Sequence, residues 1–309
     1  MTEMAPIPFV LGMFTVSGSP AFPALVLDDE AAISIDAVAP LAARLGSALT
    51  GTDSVFGLLQ NWDHNFPALC ATVAALDDAV AGKYFRSAFT ASDFLTATAP
   101  LPAARQVLCE LTGKSASGPS RFTSKLASTV VGPRAKILLP KRAGRVVAEA
   151  KIGVVVSRPA YQMSTDEAEQ AIAGYMTVTD VSLLDKGEGE GDPAWLSAKS
   201  QPSFLPTGPY FVPRAFAGDA DRLEMNISIN GERSLASSLS ARSESLATTL
   251  SRLSQDIQFF PGDIICCGVN GHALADLPAL GDGDIIETAV QGLGQQTCNA
   301  MRTSDDPGR

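Results

Sequence analysis

An α+β fold, mainly β, is predicted by three features of the 309-residue chain. Short apolar runs alternate with polar residues and end at Gly, Pro or Asn. Apolar residues at helical spacing are confined to a few stretches. Leu223, Met225, Ile227 and Ile229 alternate with Glu224, Asn226 and Ser228 before Asn230-Gly231, a strong hairpin signal. Their order predicts a smaller N-terminal domain of short strands and helices over 1–103, a mainly-β domain over 104–303 and a polar tail over 304–309.

Each element has a local reason. Between Phe9 and Val38 the runs PALVLDD and AAISID alternate between Gly, Ser and Pro, which predicts a small β unit. From Ser54 the spacing changes: Val55, Leu58, Leu59, Phe66, Leu69, Val73 and Leu76 predict two or three helices reaching about Ala91, with a break around Asn61 to Pro67. Thr96 to Ala103 is expected to be a connecting loop, Arg105 to Leu111 a strand, and Thr112 to Arg121 a loop. Ile152 to Val156 is a buried strand ending at Pro159. A helix follows with Ser164 as N-cap and Glu167 completing a capping box, ending near Gly174. Tyr175 to Val181 is strand-like, and a further helix is predicted from about Arg242 to Leu253.

Composition narrows the function. A net charge of -10 argues against a polyanion partner such as nucleic acid. No apolar run approaches the roughly 18–20 residues of a membrane span, and the start of the chain lacks a signal-peptide pattern. A cytoplasmic protein is expected. Its five cysteines are odd in number and scattered, as reduced thiols are. Gly187 to Asp192 (GEGEGD) superficially resembles a phosphate loop, but its three acids would repel phosphate. With two histidines, no GxSxG and no CxxC, neither a Ser-His-Asp hydrolase nor a His-rich zinc site has the residues it needs. His64 is read as a helix-end residue. His272, in a loop after a strand, is a candidate for a pocket wall, and of the vicinal pair Cys266 and Cys267 one is expected in the core and the other against a cavity.

The charged residues around the buried strand carry the chemistry. Glu149 and Lys151, two apart, share one face of EAKIGVVVS, with Asp180 in the next strand and Lys199 in a third segment. Hard oxygen ligands from Glu149 and Asp180 suit a metal. Lys151 cannot ligate Mg²⁺ while protonated, because an ammonium has no acceptor.

In this order the segments resemble the fumarylacetoacetate hydrolase family, in particular its longer bacterial members. The resemblance rests on LLQNWDHNFPAL, PLPAARQVLC, FTSKLASTVVGP, EAKIGVVVSR, AGYMTVTDVS, WLSAKSQPSFLPTGPYFVPRAF, INGE, FFPGDIICCG and LGDGDIIETAVQGLGQQ, and covers nearly the whole chain. It implies a mixed β-roll with flanking helices, usually a homodimer. It also implies action on 2-oxo acids or 1,3-dicarbonyls, with a divalent metal, usually Mg²⁺, stabilising the enolate oxygens.

Carried over by position, the implied metal triad falls on Glu149, Lys151 and Asp180, so a lysine stands where a carboxylate is expected. Lys199 takes the place of a lysine that polarises a bound oxygen. An expected His after the first strand is absent from Glu110 to Lys114, an expected Arg is Leu184, and an expected Gln is Leu235. The expected Thr-Gly-Ser/Thr-Pro loop reads Cys267-Gly268-Val269-Asn270. The expectation is therefore an enzyme for a small oxo acid or dicarbonyl, with no cofactor and Mg²⁺ as the lesser alternative. Its candidate catalytic residues are Lys151, Lys199, Glu149 and Asp180, and its candidate substrate contacts are Cys267, Val269, Asn270, His272 and Lys114. Either carboxylate would act as proton acceptor if its pKa were raised, and a lysine neutralised by burial would form a Schiff base. A silent binding or partner subunit is the alternative.

Overall fold

The computed structural model describes residues 6–17, 19–28, 31–77, 89–111, 120–141, 144–184 and 194–303. Candidate Lys114, the acidic stretch 187–192 and the tail 304–309 lie outside the described residues. No helix among those described is long and apolar enough to cross a membrane.

Among the described residues, the N-terminal unit is a five-stranded sheet with three α-helices. Its strands are β1 (Val10–Thr15), β2 (Phe22–Asp28), β3 (Ala31–Ser34), β4 (Phe89–Ala91) and β5 (Thr96–Thr98), ordered β4-β3-β2-β1-β5. Its helices are α1 (Ile35–Arg44), α2 (Val55–Leu59) and α3 (Trp62–Asp77). Three expectations are corrected here. Ile35 and Asp36 open a helix rather than continue a strand, because the Ser34 side chain accepts the Ala37 N–H as an N-cap. The helix α3 runs through Pro67. Just ahead of that proline the buried Asn65 amide donates to Leu58 O and Thr50 O and accepts the Thr50 N–H, which ties α3 to α2. Finally, Phe89–Ala91 and Thr96–Thr98 are strands, although they were expected as helix end and loop. Pairing with β3 and β1 overrides weak local propensity.

The remainder contributes β6 (Val107–Glu110), β7 (Phe122–Ser124), β8 (Val130–Val131), β9 (Lys136–Leu139), β10 (Arg145–Val156), α4 (Thr165–Ala171), β11 (Ile172–Leu184) and α5 (Ala194–Lys199). It continues with β12 (Leu205–Pro206), β13 (Val212–Pro213), β14 (Glu224–Ile229), β15 (Glu232–Ser238), α6 (Leu246–Ser254), β16 (Ile264–Cys267), β17 (Ile285–Val290) and β18 (Gly294–Arg302). A six-stranded sheet runs β13-β11-β10-β16-β6-β7, a five-stranded sheet β15-β14-β17-β18-β9, and β12 pairs with β8. The capping box at Ser164 and Glu167 forms as expected. The helix stops at Ala171, before Gly174, because β11 begins there; a Cβ on Gly174 would lie 2.2 Å from Val212 O, so only glycine lets β13 pair so closely. Asn230 (φ 54°) and Gly231 (φ 80°) make the predicted hairpin turn between β14 and β15.

The two long strands β10 and β11 pair in register from Arg145↔Leu184 through Glu149↔Asp180 to Val155↔Gly174. On one face, Ala148, Ala150, Ile152 and Val154 pack with Met225, Ile227 and Ile286 of the second sheet. On the other, Val155, Met176 and Val178 share a core with Phe9, Leu11, Trp62 and Leu69 of the N-terminal unit. Both faces are covered, so the strands read as nearly continuous apolar runs. The charged residues are the exceptions.

Candidate active site

Pleating and register bring the charges together. Glu149 and Lys151 alternate onto one face of β10, and Asp180 lies opposite Glu149 on β11. Lys199 ends α5 and is delivered to the same face. The Lys151 ammonium lies 2.7 Å from Asp180 Oδ2 and 3.7 Å from Glu149 Oε2. Lys199 Nζ is 2.9 Å from Asp180 Oδ2 and 4.0 Å from Glu149 Oε2. Each of the four is at most 2% exposed. Lys151 also donates to the carbonyl of Glu110, and its stem runs along Gly268, where an added Cβ would meet Lys151 Cε at 3.3 Å.

Sequence reasoning missed a third lysine. Lys125 Nζ donates to Asp180 Oδ1 at 2.6 Å and to the carbonyls of Val181 (2.9 Å) and Phe204 (2.6 Å). It follows β7 in FTSKLAS, where a lone lysine in a polar run gives no sign of burial. With Lys125, three lysines face two carboxylates.

The electrostatics follow from burial and proximity. Burial alone would push Asp180 up, but Lys125, Lys151 and Lys199 together outweigh it and hold the carboxyl well below its ordinary range. At Glu149 burial likewise acts upward. It is overcome by Lys151, the His272 hydrogen bond and Lys199, so this carboxyl also stays ionised. Burial acts to lower Lys151, yet Asp180 and Glu149 raise its ammonium well above the normal lysine value. These directions leave neither carboxylate with the raised pKa of a general base, and Lys151 is not the neutral amine that Schiff-base formation requires.

The remaining candidates separate. His272 Nε2 lies 3.1 Å from Glu149 Oε1, with its side chain 19% exposed. Cys267 is fully buried and packs, with Val269, into the apolar core on the opposite face of the sheet from Lys151; burial pushes its thiol up to about 12. Cys266 is buried on the Lys151 side, so both vicinal cysteines are core residues. Asn270 borders a small hollow with Glu110, Ser120 and Arg242. There Glu110 pairs with Arg242 and accepts the Gly268 N–H, fixing the loop after β16. His64 Nε2 lies 2.8 Å from Ala48 O, a helix-end contact. The leucines at the two altered pocket positions lie together. Leu184 packs with Val147 and Leu277, and Leu235 rests against them.

A divalent cation does not fit this donor set. The position between Glu149 and Asp180 is taken by a protonated amine, which donates and cannot coordinate. Among the described residues no three His, Cys, Asp or Glu side chains converge.

A β-roll built on paired strands, with carboxylates and lysines gathered on one sheet face, defines the class of protein. Residues 103–300 match the model of the fumarylacetoacetate hydrolase C-terminal domain, and the chain belongs to the fumarylacetoacetate hydrolase family. It is 31% identical over 176 residues to 2,4-didehydro-3-deoxy-L-rhamnonate hydrolase of Sphingomonas sp. (strain SKA58), covering 56% of this chain and 61% of that protein. It is 29% identical over 174 residues to the mitochondrial oxaloacetate tautomerase FAHD2B of Bos taurus, covering 55% of each. The chain thus spans little more than half the length of these relatives. Among solved structures, maleylpyruvate hydrolase from Sphingobium sp. SYK-6, in complex with manganese(II) and pyruvate, superposes with a TM-score of 0.74 over 96% of this chain and 100% of that one, at 17% identity. The 5-carboxymethyl-2-hydroxymuconate delta-isomerase from Mycobacterium smegmatis gives a TM-score of 0.61 over 70% and 83%, at 24% identity. These two show the fold.

Proposed function

We propose that this protein is a metal-independent enzyme acting on an enolisable 2-oxo acid or 1,3-dicarbonyl small molecule. The observation that carries the reading is the ammonium of Lys151 held between Asp180 and Glu149, at the point where the resemblance implies a metal ligand. Enolisation, retro-Claisen cleavage and isomerisation of such substrates all build negative charge on a carbonyl oxygen. A fixed cation in a water-poor site stabilises that charge without reorganising during the reaction. Lys151 and Lys199 supply the positive charge, and Lys125 neutralises the far side of Asp180. The two carboxylates orient the lysines and hold Lys151 protonated. His272, held by Glu149 and partly open to solvent, is the proton carrier of the set. The relatives named as a hydrolase and an oxaloacetate tautomerase support oxo-acid chemistry, and a homodimer is the assembly proposed.

The test is turnover of oxaloacetate enol and of an acylpyruvate in the presence of EDTA. The wild type is expected to retain its rate. Lys199→Met and Lys151→Met are expected to lower kcat by about 10²–10³, the range for losing one oxyanion-stabilising donor. Full loss of activity on chelation would refute metal independence. A second reading, a silent binding subunit, draws on the closure of the cluster, whose charges are at most 2% exposed. Ligand binding without turnover, unchanged by Lys199→Ala, would favour it.

A further inference from the structure

The face of β10 and β11 that carries the charges continues toward one end of the strands as something chemically different. Beyond the Glu149↔Asp180 pair come Val147↔Ser182 and then Arg145↔Leu184. By the pleat, Val147, Ser182 and Leu184 point the same way as Glu149 and Asp180. Val147 and Leu184 form an apolar cluster with Leu277, and Leu235 and Leu274 lie against it. Between the apolar and charged halves sits Ser182. It is 1% exposed, and its Oγ has no hydrogen-bond partner among the described residues. A buried hydroxyl in that state costs free energy unless something supplies an acceptor or donor.

One loop covers both halves. Residues 268–280 place His272 on Glu149 and lay Leu274 and Leu277 over Val147 and Leu184. The cover is held by Arg145, which donates to the carbonyls of Ala275 and Leu277 from the end of β10. Charged and apolar halves therefore share one covering loop.

Building on the function proposed above, we infer that the substrate carries an apolar group beside its dicarbonyl or oxo-acid head, and that Val147, Leu184, Leu235, Leu274 and Leu277 select for it. The head's oxygens lie toward Lys151 and Lys199. The Ser182 hydroxyl donates to an oxygen at the junction, and the hydrocarbon displaces Leu274 and Leu277 from the strand face. A second carboxylate at that end would be buried among leucines, where the Arg145 cation is already engaged by the carbonyls of Ala275 and Leu277. Leu184 and Leu277 are specificity-determining residues in this arrangement, and Ser182 is a positioning residue.

The experiment compares kcat/KM for two 2,4-dioxo acids of equal chain length, one ending in an alkyl group and one in a carboxylate. The wild type is expected to prefer the alkyl-terminated compound by roughly tenfold or more, the scale on which an apolar pocket discriminates. Leu184→Arg is expected to reverse the preference. Leu274→Lys, on the half-buried covering loop, provides the same readout should Leu184→Arg fail to fold. Ser182→Ala is expected to raise KM for both compounds and leave their ratio unchanged, whereas a purely structural role would leave KM unchanged. A wild-type preference for the carboxylate, or a ratio unchanged in both charged variants, would overturn the inference. If neither compound is consumed, the proposed function fails. Calorimetric binding of the same pair then decides the specificity on its own: tighter alkyl binding supports it, and equal binding overturns it.

Discussion

At the scale of single residues, Asp180 is the pivot, because three lysines converge on its two oxygens. Its removal leaves buried ammoniums facing one another. Asp180→Asn is expected to cost about 3–5 kcal/mol, the range for breaking a buried ion pair, read from denaturant unfolding. The pH dependence has a definite sign. Asp180 and Glu149 have carboxyls held below their ordinary values. Their stabilisation is fully present above the unfolded values of about 4 and is lost as pH falls through the lower folded ones. Lys151 is held above its ordinary value. Its contribution is present below the unfolded value of about 10.4 and is lost as pH rises through the folded one. Melting temperature followed against pH should fall at the acid end in the wild type and fall less steeply in Asp180→Asn. An identical acid limb in both proteins would show that Asp180 is not the group responsible.

At the scale of elements, what was legible depended on whether the signal was local. Alternation in β14 and the αL-tolerant Asn230-Gly231 pair announce their hairpin, and Ser164 with Glu167 announces α4. Glu149, Lys151, Asp180 and Lys199 were legible as candidates because charges stand out in apolar strands and match the motif order of the family. Lys125 was not, since nothing near it in the chain shows that Asp180, Val181 and Phe204 will surround it. The same limit hid α1, which one serine cap starts, and the strands β4 and β5, which exist through pairing with β3 and β1. Cys267 and Val269 match the position of an expected binding loop, yet the pleat turns Cys267 into the core, and Val269 packs there as well. Gly268, between them, is the position where the loop meets the site. Gly268→Ala would crowd the Lys151 stem at 3.3 Å. It is expected to reduce kcat while shifting the melting temperature little, and an unchanged kcat would show that Lys151 tolerates displacement.

At the scale of the whole molecule, the N-terminal unit packs against one face of the sheet that carries the site. Phe9, Leu11, Trp62 and Leu69 share one core with Val155, Met176 and Val178, which lie on the face bearing Lys151. We propose that the domains at 1–103 and 104–303 unfold as one cooperative unit. Scanning calorimetry should give a single transition with equal calorimetric and van't Hoff enthalpies, and two separated transitions would refute this. The central claim concerns the ammonium that stands in a metal's place within this scaffold. The most direct test is calorimetric titration of Mn²⁺ into the wild type and into Lys151→Glu, which restores a third carboxylate at that position. The account predicts no binding to the wild type and measurable binding to Lys151→Glu; micromolar binding to the wild type, or none to the variant, would contradict it.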